Sequence, residues 1–269
     1  EALDGFDTDG NGYVDDVYGW DFVNHDNDPS ADVGKGEGHG TMVAGCIGAV
    51  GNNALGVAGV NWNVGIMPLK FLGDVASELA AIDYAIANGA HIVNASWGGP
   101  QFSYAESAGM QKLLNAGILL VAAAGNYDGN NDKVLDYPSS LPYANILAVS
   151  ATQPDGLVTP WSHYGATTVD VSAPGHTIFT TTSVTTGTSY DYTTGTSFSA
   201  PLVAGVAALV KAQYPTATYQ ELKGRLMAST TKLGQHGLSA TDGMVNADLA
   251  LRIAPRPELL ISGLALSDS

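Results

Sequence analysis

The run ILLVAAAG at residues 118–125 contains no charged or strongly polar side chain. Gly117 precedes it and Asn126 follows, so it is too short for a buried helix and reads as a strand covered on both faces. Such a strand needs helices above and below it. Strand patterns at 65–72, 91–97, 118–125 and 145–151 are interleaved with helical patterns at 77–88, 104–115, 196–214 and 219–229. Ser77 is the expected N-cap of the first of these, with Glu78 in its opening turn and Gly89 as its stop. Gly117 stops the next. Pro201 falls in the first turns of 196–214, where proline is tolerated. The alternation predicts an α/β fold: a doubly wound, mostly parallel sheet with helices on both faces, in three α/β/α layers. Ligands of such sheets bind beyond the C-terminal ends of the strands.

Composition narrows the function. A net charge of −16 argues against nucleic acid as a partner, since phosphates would be repelled. The same charge suits a secreted protein and one that collects calcium. The single cysteine, Cys46, excludes an internal disulfide and, within an apolar run of small residues, reads as a buried inert thiol. No run of 18 apolar residues predicts a membrane span. Glu1 does not read as a natural start, and the chain is expected to be a mature or trimmed product.

Two short motifs carry the chemistry: GHGTMVAG at 38–45 and GTSFSAP at 195–201. Ser197 opens a long helix. A serine hydroxyl is a weak nucleophile until a base takes its proton, and a helix N-terminus aims free N–H groups at a developing negative charge. Taken alone, Ser197 could equally be an N-cap, and His39 a capping or core histidine.

Together, and in this order, the two motifs resemble the signatures of the subtilisin-like serine proteases (subtilases, peptidase S8 family) of secreted bacterial type. The resemblance covers nearly all of residues 7–254. It implies the subtilisin-like version of the fold above, with Ser197 as nucleophile and His39 as the general base. Met42 stands where the family commonly has a second histidine. The resemblance makes Asn126, at the end of VAAAGN, the side-chain amide of the oxyanion hole; a turn asparagine is the alternative. NASWGGP at 94–100 resembles the segment that pairs with substrate as an added strand, through Ser96, Trp97 and Gly98. Trp97 replaces a commoner leucine, or is simply core. Asp136, before Tyr137-Pro138, falls near the base of the primary specificity pocket, where a carboxylate would favour Arg or Lys; a solvated loop aspartate or a calcium ligand are the alternatives.

The acidic loop DTDGNGYVDD at 7–16 places oxygen ligands at alternating positions. Asp7, Asp9 and Asn11, the Tyr13 carbonyl and Asp15 or Asp16 are the expected ligands of a structural calcium ion. Tyr18 occupies the place of the closing Glu, so the loop is not an EF-hand. A polar turn is the alternative. DGNND at 128–132 is a weaker metal signal. Residues 1–254 read as one catalytic domain, with 1–38 its acidic loop region. The stretch 255–269 reads as a linker and the start of a β-sandwich module.

One family element has no counterpart in residues 1–38: the early strand of the form apolar-apolar-Asp-Thr-Gly, whose aspartate orients the histidine. Four explanations stand. The strand was cleaved and stays bound as an N-terminal peptide; the sequence is a fragment; Glu37 or Asp32 substitutes, close to an insertion-like VGKGE; or the protein is an inactive homologue. The expected function is a secreted serine endopeptidase acting on protein or peptide substrates through a Ser197 acyl-enzyme. The alternative is an inactive homologue that binds peptides or acts as a scaffold.

Overall fold

The structure is a computed structural model that describes residues 3–32, 38–71, 73–183 and 189–253. In chain order its elements are β1 (Trp20–Asp21), α1 (His39–Gly48), β2 (Leu69–Lys70), α2 (Val75–Ala87), β3 (Ile92–Ala95), α3 (Tyr104–Asn115), β4 (Leu119–Ala123), β5 (Ile146–Thr152), β6 (Val171–Pro174), β7 (Ile178–Thr181), β8 (Tyr190–Thr193), α4 (Thr196–Gln213), α5 (Tyr219–Ala228), β9 (Thr231–Lys232), β10 (Gly243–Met244) and α6 (Ala247–Arg252). A six-stranded sheet runs β3-β4-β5-β6-β10-β9. All its pairings are parallel except β10 with β9.

Strand β4 shows why the layers form. All five of its residues are buried. Leu119, Val121 and Ala123 point into one core, shared with Val203, Ala207 and Val210 of α4 and Leu222 and Leu226 of α5. Leu120 and Ala122 point into a second core with Ile82 of α2 and Met110 and Leu113 of α3. Successive strand residues face opposite sides, so an unbroken apolar run demands helices on both. Truncating Leu119 or Leu120 to Ala would cost about 2–5 kcal/mol through lost burial and the cavity left.

Most expected elements lie where the sequence places them, with two corrections. Asp74 caps α2, accepting the Ser77 N–H at 2.9 Å, so Ser77 lies inside the first turn. The strand expected over 65–72 is only β2, because its pairing with β1 spans two residues. Strands β1 and β2 form a separate parallel pair. Helix α2 packs on both sheets, with Ala81 and Tyr84 against the β1–β2 side and Ile82 against the β3–β4 side. Just past their strands, the Phe71 and Trp97 rings meet edge to face at 4.9 Å. Thus β2 and β3 lie under one helix, yet among the described residues neither is hydrogen-bonded to the other, and each keeps one unpaired edge. The stretch 255–269 lies outside the described residues.

Candidate active site

The site forms where α1 and α4 begin. Gly195 caps α4 at φ 153°, a backbone region that favours glycine. The first turn of a helix leaves its N–H groups without internal acceptors. Here the Thr196 N–H and hydroxyl both donate to Asn126 Oδ1, each at 2.9 Å. That fixes the Asn126 carbonyl toward the helix and leaves its N–H₂ pointing away from Thr196.

Pro201 is the sixth residue of α4, deeper than first turns tolerate without compensation. Having no N–H, it leaves the carbonyl of Ser197, four residues back, without a helical donor. The Ser96 hydroxyl supplies one, donating to that carbonyl at 2.7 Å. The Ser197 hydroxyl donates back to the Ser96 carbonyl at 3.2 Å. A proline inside the helix therefore ties the segment after β3 to the turn that bears Ser197.

His39 is the first residue of α1, and its ring meets Phe198 at 5.5 Å. Close helix and hairpin contacts hold it there. A Cβ on Gly45 would lie 2.1 Å from Thr181 Oγ1, and the Thr180 and Thr181 hydroxyls donate to the carbonyls of Met42 and Thr41. Partial desolvation lowers the His39 pKa, favouring the neutral ring. Desolvation is the cause of that shift, and Glu37, a candidate substitute for the orienting acid, lies outside the described residues. In this state Ser197 Oγ is hydrogen-bonded to Ser96 and not to His39.

In comparison with known proteins, residues 2–245 match the model of the subtilase family. The chain belongs to the subtilase family. It is 38% identical over 218 residues to a thermostable alkaline protease of Halalkalibacterium halodurans, covering 79% of this chain and 57% of that protein. It is 36% identical over 222 residues to Subtilisin Savinase of Lederbergia lenta, covering 81% and 78%. A solved structure of a cold-adapted subtilisin-like serine proteinase superposes with TM-score 0.70 at 30% identity, covering 85% of this chain and 78% of that one. The chain spans little more than half the length of several curated relatives, 56–57% for three alkaline proteases.

Within this subtilase frame the substrate-strand residues lie beside the nucleophile. Ser96, Trp97 and Gly98 follow β3 directly. The next residue, Gly99, exchanges two backbone hydrogen bonds with Tyr137, at 2.9 and 2.8 Å. That ladder brings Asp136 against the segment, and a Cβ on Gly98 would lie 2.8 Å from Asp136 Oδ1. Asp136 is 5% exposed, which overturns the solvated-loop alternative. Desolvation pushes its pKa up to about 6.

The acidic loop is ordered by its own carboxylates. Asp7 accepts the N–H groups of Gly10, Asn11 and Gly12; Asp9 accepts from Asn11, and Asn11 Oδ1 from Tyr13. Asp15 accepts from Asp4 and Gly5, and Asp16 from the Asn11 amide and the Tyr84 hydroxyl. These carboxylates cap turns, and no three His, Cys, Asp or Glu side chains converge as a metal site among the described residues. In DGNND, Asn131 bridges His163 and the Ala124 carbonyl, while Asp132 accepts from Thr167 and Thr168.

Two supporting residues, Thr196 and His163, escaped the sequence reading, as did a second role for Ser96. Thr196 orients Asn126, and Ser96 serves the nucleophile turn as well as the cleft. His163, 7% exposed, backs the oxyanion loop so closely that a Cβ on Gly125 would lie 2.5 Å from its Nδ1. Thr196 stood inside a motif and was open to that question. His163 carried no signal, because its partners are 32 and 38 positions distant in sequence. Cys46 is buried, with its thiol pKa raised by desolvation.

Proposed function

We propose that the chain is a serine endopeptidase, and the observation that carries this is the tie between Asn126 and the helix turn that bears Ser197, in which the N–H and the hydroxyl of Thr196 both donate to Asn126 Oδ1. With its Oδ1 held by Thr196, Asn126 is assigned to donate through its amide N–H₂, together with the Ser197 N–H, to the tetrahedral oxyanion. Release of Ser197 Oγ from the Ser96 carbonyl frees it to engage His39, whose ring lies against the neighbouring Phe198. The Ser197 oxygen attacks the peptide carbonyl while neutral His39 takes the proton. His39 then gives that proton to the leaving amine as the C–N bond breaks, leaving an acyl-enzyme. Water, deprotonated by His39, releases the acid product and restores Ser197. Substrate lies extended along Ser96–Gly98, and Asp136 favours Arg or Lys at the scissile position by charge pairing in a desolvated pocket.

The orienting acid belongs to this proposal. An extended segment carrying the aspartate, such as the cleaved N-terminal peptide expected above, fits between β2 and β3. Both edges are unpaired, both strands belong to parallel sheets, and α2 covers both. The Asn94 Oδ1 on β3 is buried without a partner. The test is hydrolysis of a fluorogenic peptide by the full chain, alone and with a synthetic apolar-apolar-Asp-Thr-Gly peptide added. Turnover that rises with the added peptide and vanishes in Ser197→Ala supports the proposal. A folded chain with no turnover under either condition favours the inactive peptide-binding homologue.

Calcium at Asp7, Asp9, Asn11, Tyr13, Asp15 and Asp16 remains part of the proposal on the alternation of oxygen ligands alone. Binding would exchange the turn-capping hydrogen bonds for metal contacts. A melting temperature unchanged by chelator would remove it. Extracellular placement rests on the acidic net charge of −16 and the single buried cysteine.

A further inference from the structure

Past the end of β4, the loop that carries Asn126 closes around one buried side chain, His163. The imidazole lies between two glycines. A Cβ on Gly125 would stand 2.5 Å from its Nδ1, and one on Gly129 would stand 2.7 Å from its Nε2. Gly125 also has φ 119°, in the region that favours glycine. The His163 backbone N–H donates to the Gly125 carbonyl at 2.9 Å. The Asp128 and Asn131 N–H groups donate to the carbonyls of Trp161 and Tyr164, which flank His163 in the chain. Tyr127 meets the ring edge to face at 6.3 Å.

The hydrogen bonds of the loop fix the state of that ring. A carbonyl only accepts, so the Asn131 group that meets the Ala124 carbonyl at 2.9 Å is its amide N–H₂. Asn131 Oδ1 therefore faces His163 Nδ1, at 2.9 Å, and as an acceptor it requires the proton on Nδ1. Desolvation lowers the His163 pKa and favours the neutral ring, against the opposing pull of the Ala124 carbonyl and the Asp128 charge. Asn131 is fully buried, so water does not compete for either of its bonds. His163 thus holds the Ala124 carbonyl through Asn131 and the Gly125 carbonyl directly. These are the two residues before Asn126. From the opposite side, Thr196 holds the Gly125 N–H at 3.3 Å and Asn126 Oδ1 at 2.9 Å.

We propose that His163 is a positioning residue for the oxyanion hole: through its Nδ1–H and its backbone N–H it locks Ala124 and Gly125, so that Asn126 stands in place before the oxyanion forms. The proposal rests on the peptidase reading above and deepens it. His163 touches neither substrate nor the reacting atoms. An oxyanion donor is effective because it needs no reorganisation when the charge develops. A loop that settles only as the charge forms forfeits that advantage, so the loss falls on the chemical step and spares binding.

The test follows labelling of Ser197 by a fluorophosphonate in the full chain, since the attacked phosphorus places an oxygen where the oxyanion forms. Rates over a range of probe concentration separate the maximal rate from the half-saturating concentration. His163→Phe keeps a ring without the Nδ1–H, and His163→Asn keeps an N–H donor at the same distance from the backbone. The Phe variant is expected to lower the maximal rate at least about tenfold, with half-saturation within about twofold. The Asn variant is expected to recover most of that loss. In an Asn126→Ala background, His163→Phe should add nothing, because His163 acts through Asn126. An unchanged maximal rate in His163→Phe overturns the proposal, as does a loss of equal size with and without Asn126, or one confined to half-saturation. Asn131→Leu, which cuts the link and leaves His163 in place, must show the same pattern, so the test stands if Phe does not fit between the glycines. The peptidase reading fails separately, if Ser197 of the unsubstituted chain takes up no label; labelling that is indifferent to residues 163 and 131 sinks the role of His163 alone.

Discussion

The hydrogen bond from Ser96 to the Ser197 carbonyl exists because Pro201 has no N–H to offer, and that dependence can be measured. Replacing Ser96 by Ala strips the carbonyl of its donor in a part-buried setting. A polar group left unsatisfied there costs about 1–3 kcal/mol. Ser96→Ala also removes the acceptor of the Asn94 amide, at 2.9 Å, and the two losses are mixed in the single substitution. A double-mutant cycle separates them. Pro201→Ala restores a backbone N–H one helical turn from the Ser197 carbonyl, so in that background Ser96→Ala strands only Asn94. The Asn94 contribution is common to both arms and cancels. The coupling between positions 96 and 201 is expected to be about 1–2 kcal/mol, with Ser96→Ala the more damaging beside proline. Urea denaturation in a Ser197→Ala background, which keeps the carbonyl and prevents self-digestion, provides the measurement. If Ser96→Ala costs the same in both backgrounds, within about 0.5 kcal/mol, the proline-driven account is wrong.

Other consequences can be checked alongside. Burial raises the Glu78 pKa from its usual 4.5 to about 7 in the native protein, with Glu106 adding to the effect. Below pH 4.5 the group is neutral in both states; between 4.5 and about 7 only the unfolded chain ionises, so native stability falls as pH rises and levels off above 7. Glu78→Gln should therefore stabilise by up to about 3 kcal/mol at pH 8 and by nothing measurable at pH 4, in paired urea titrations. Asn126→Ala should lower turnover about 10²–10³-fold, the loss known for a subtilisin deprived of this donor. Peptide kinetics with KM nearly unchanged would agree with a donor used in the transition state, whereas a change confined to KM would not. Asp136→Asn should cut kcat/KM for Lys at the scissile position by about tenfold or more relative to Phe, and a constant ratio would remove Asp136 from the pocket.

What the sequence disclosed follows from which forces act locally. Residues 118–125 announced a doubly covered strand because burial on both faces leaves no room for polar side chains, and α3 carried its cap and stop within its own residues. Strands β6 to β10 did not show, being two to four residues long and defined by partners distant in sequence. His39, Asn126 and Ser197 were legible because their neighbours form compact motifs. The Glu78–Glu106 pair was not, since each glutamate looks like an ordinary first-turn acid until α2 and α3 are packed together. The acidic loop was legible as a turn, and Asp7 caps backbone N–H groups within it.

The central claim is that Ser197, activated by His39, is a nucleophile. Its most direct test is intact-mass analysis after treating the full chain with a fluorophosphonate at neutral pH. The account predicts a single adduct that maps to Ser197, is absent in Ser197→Ala and forms far more slowly in His39→Ala. A folded chain that takes up no adduct, or one that reacts equally well without His39, would contradict it.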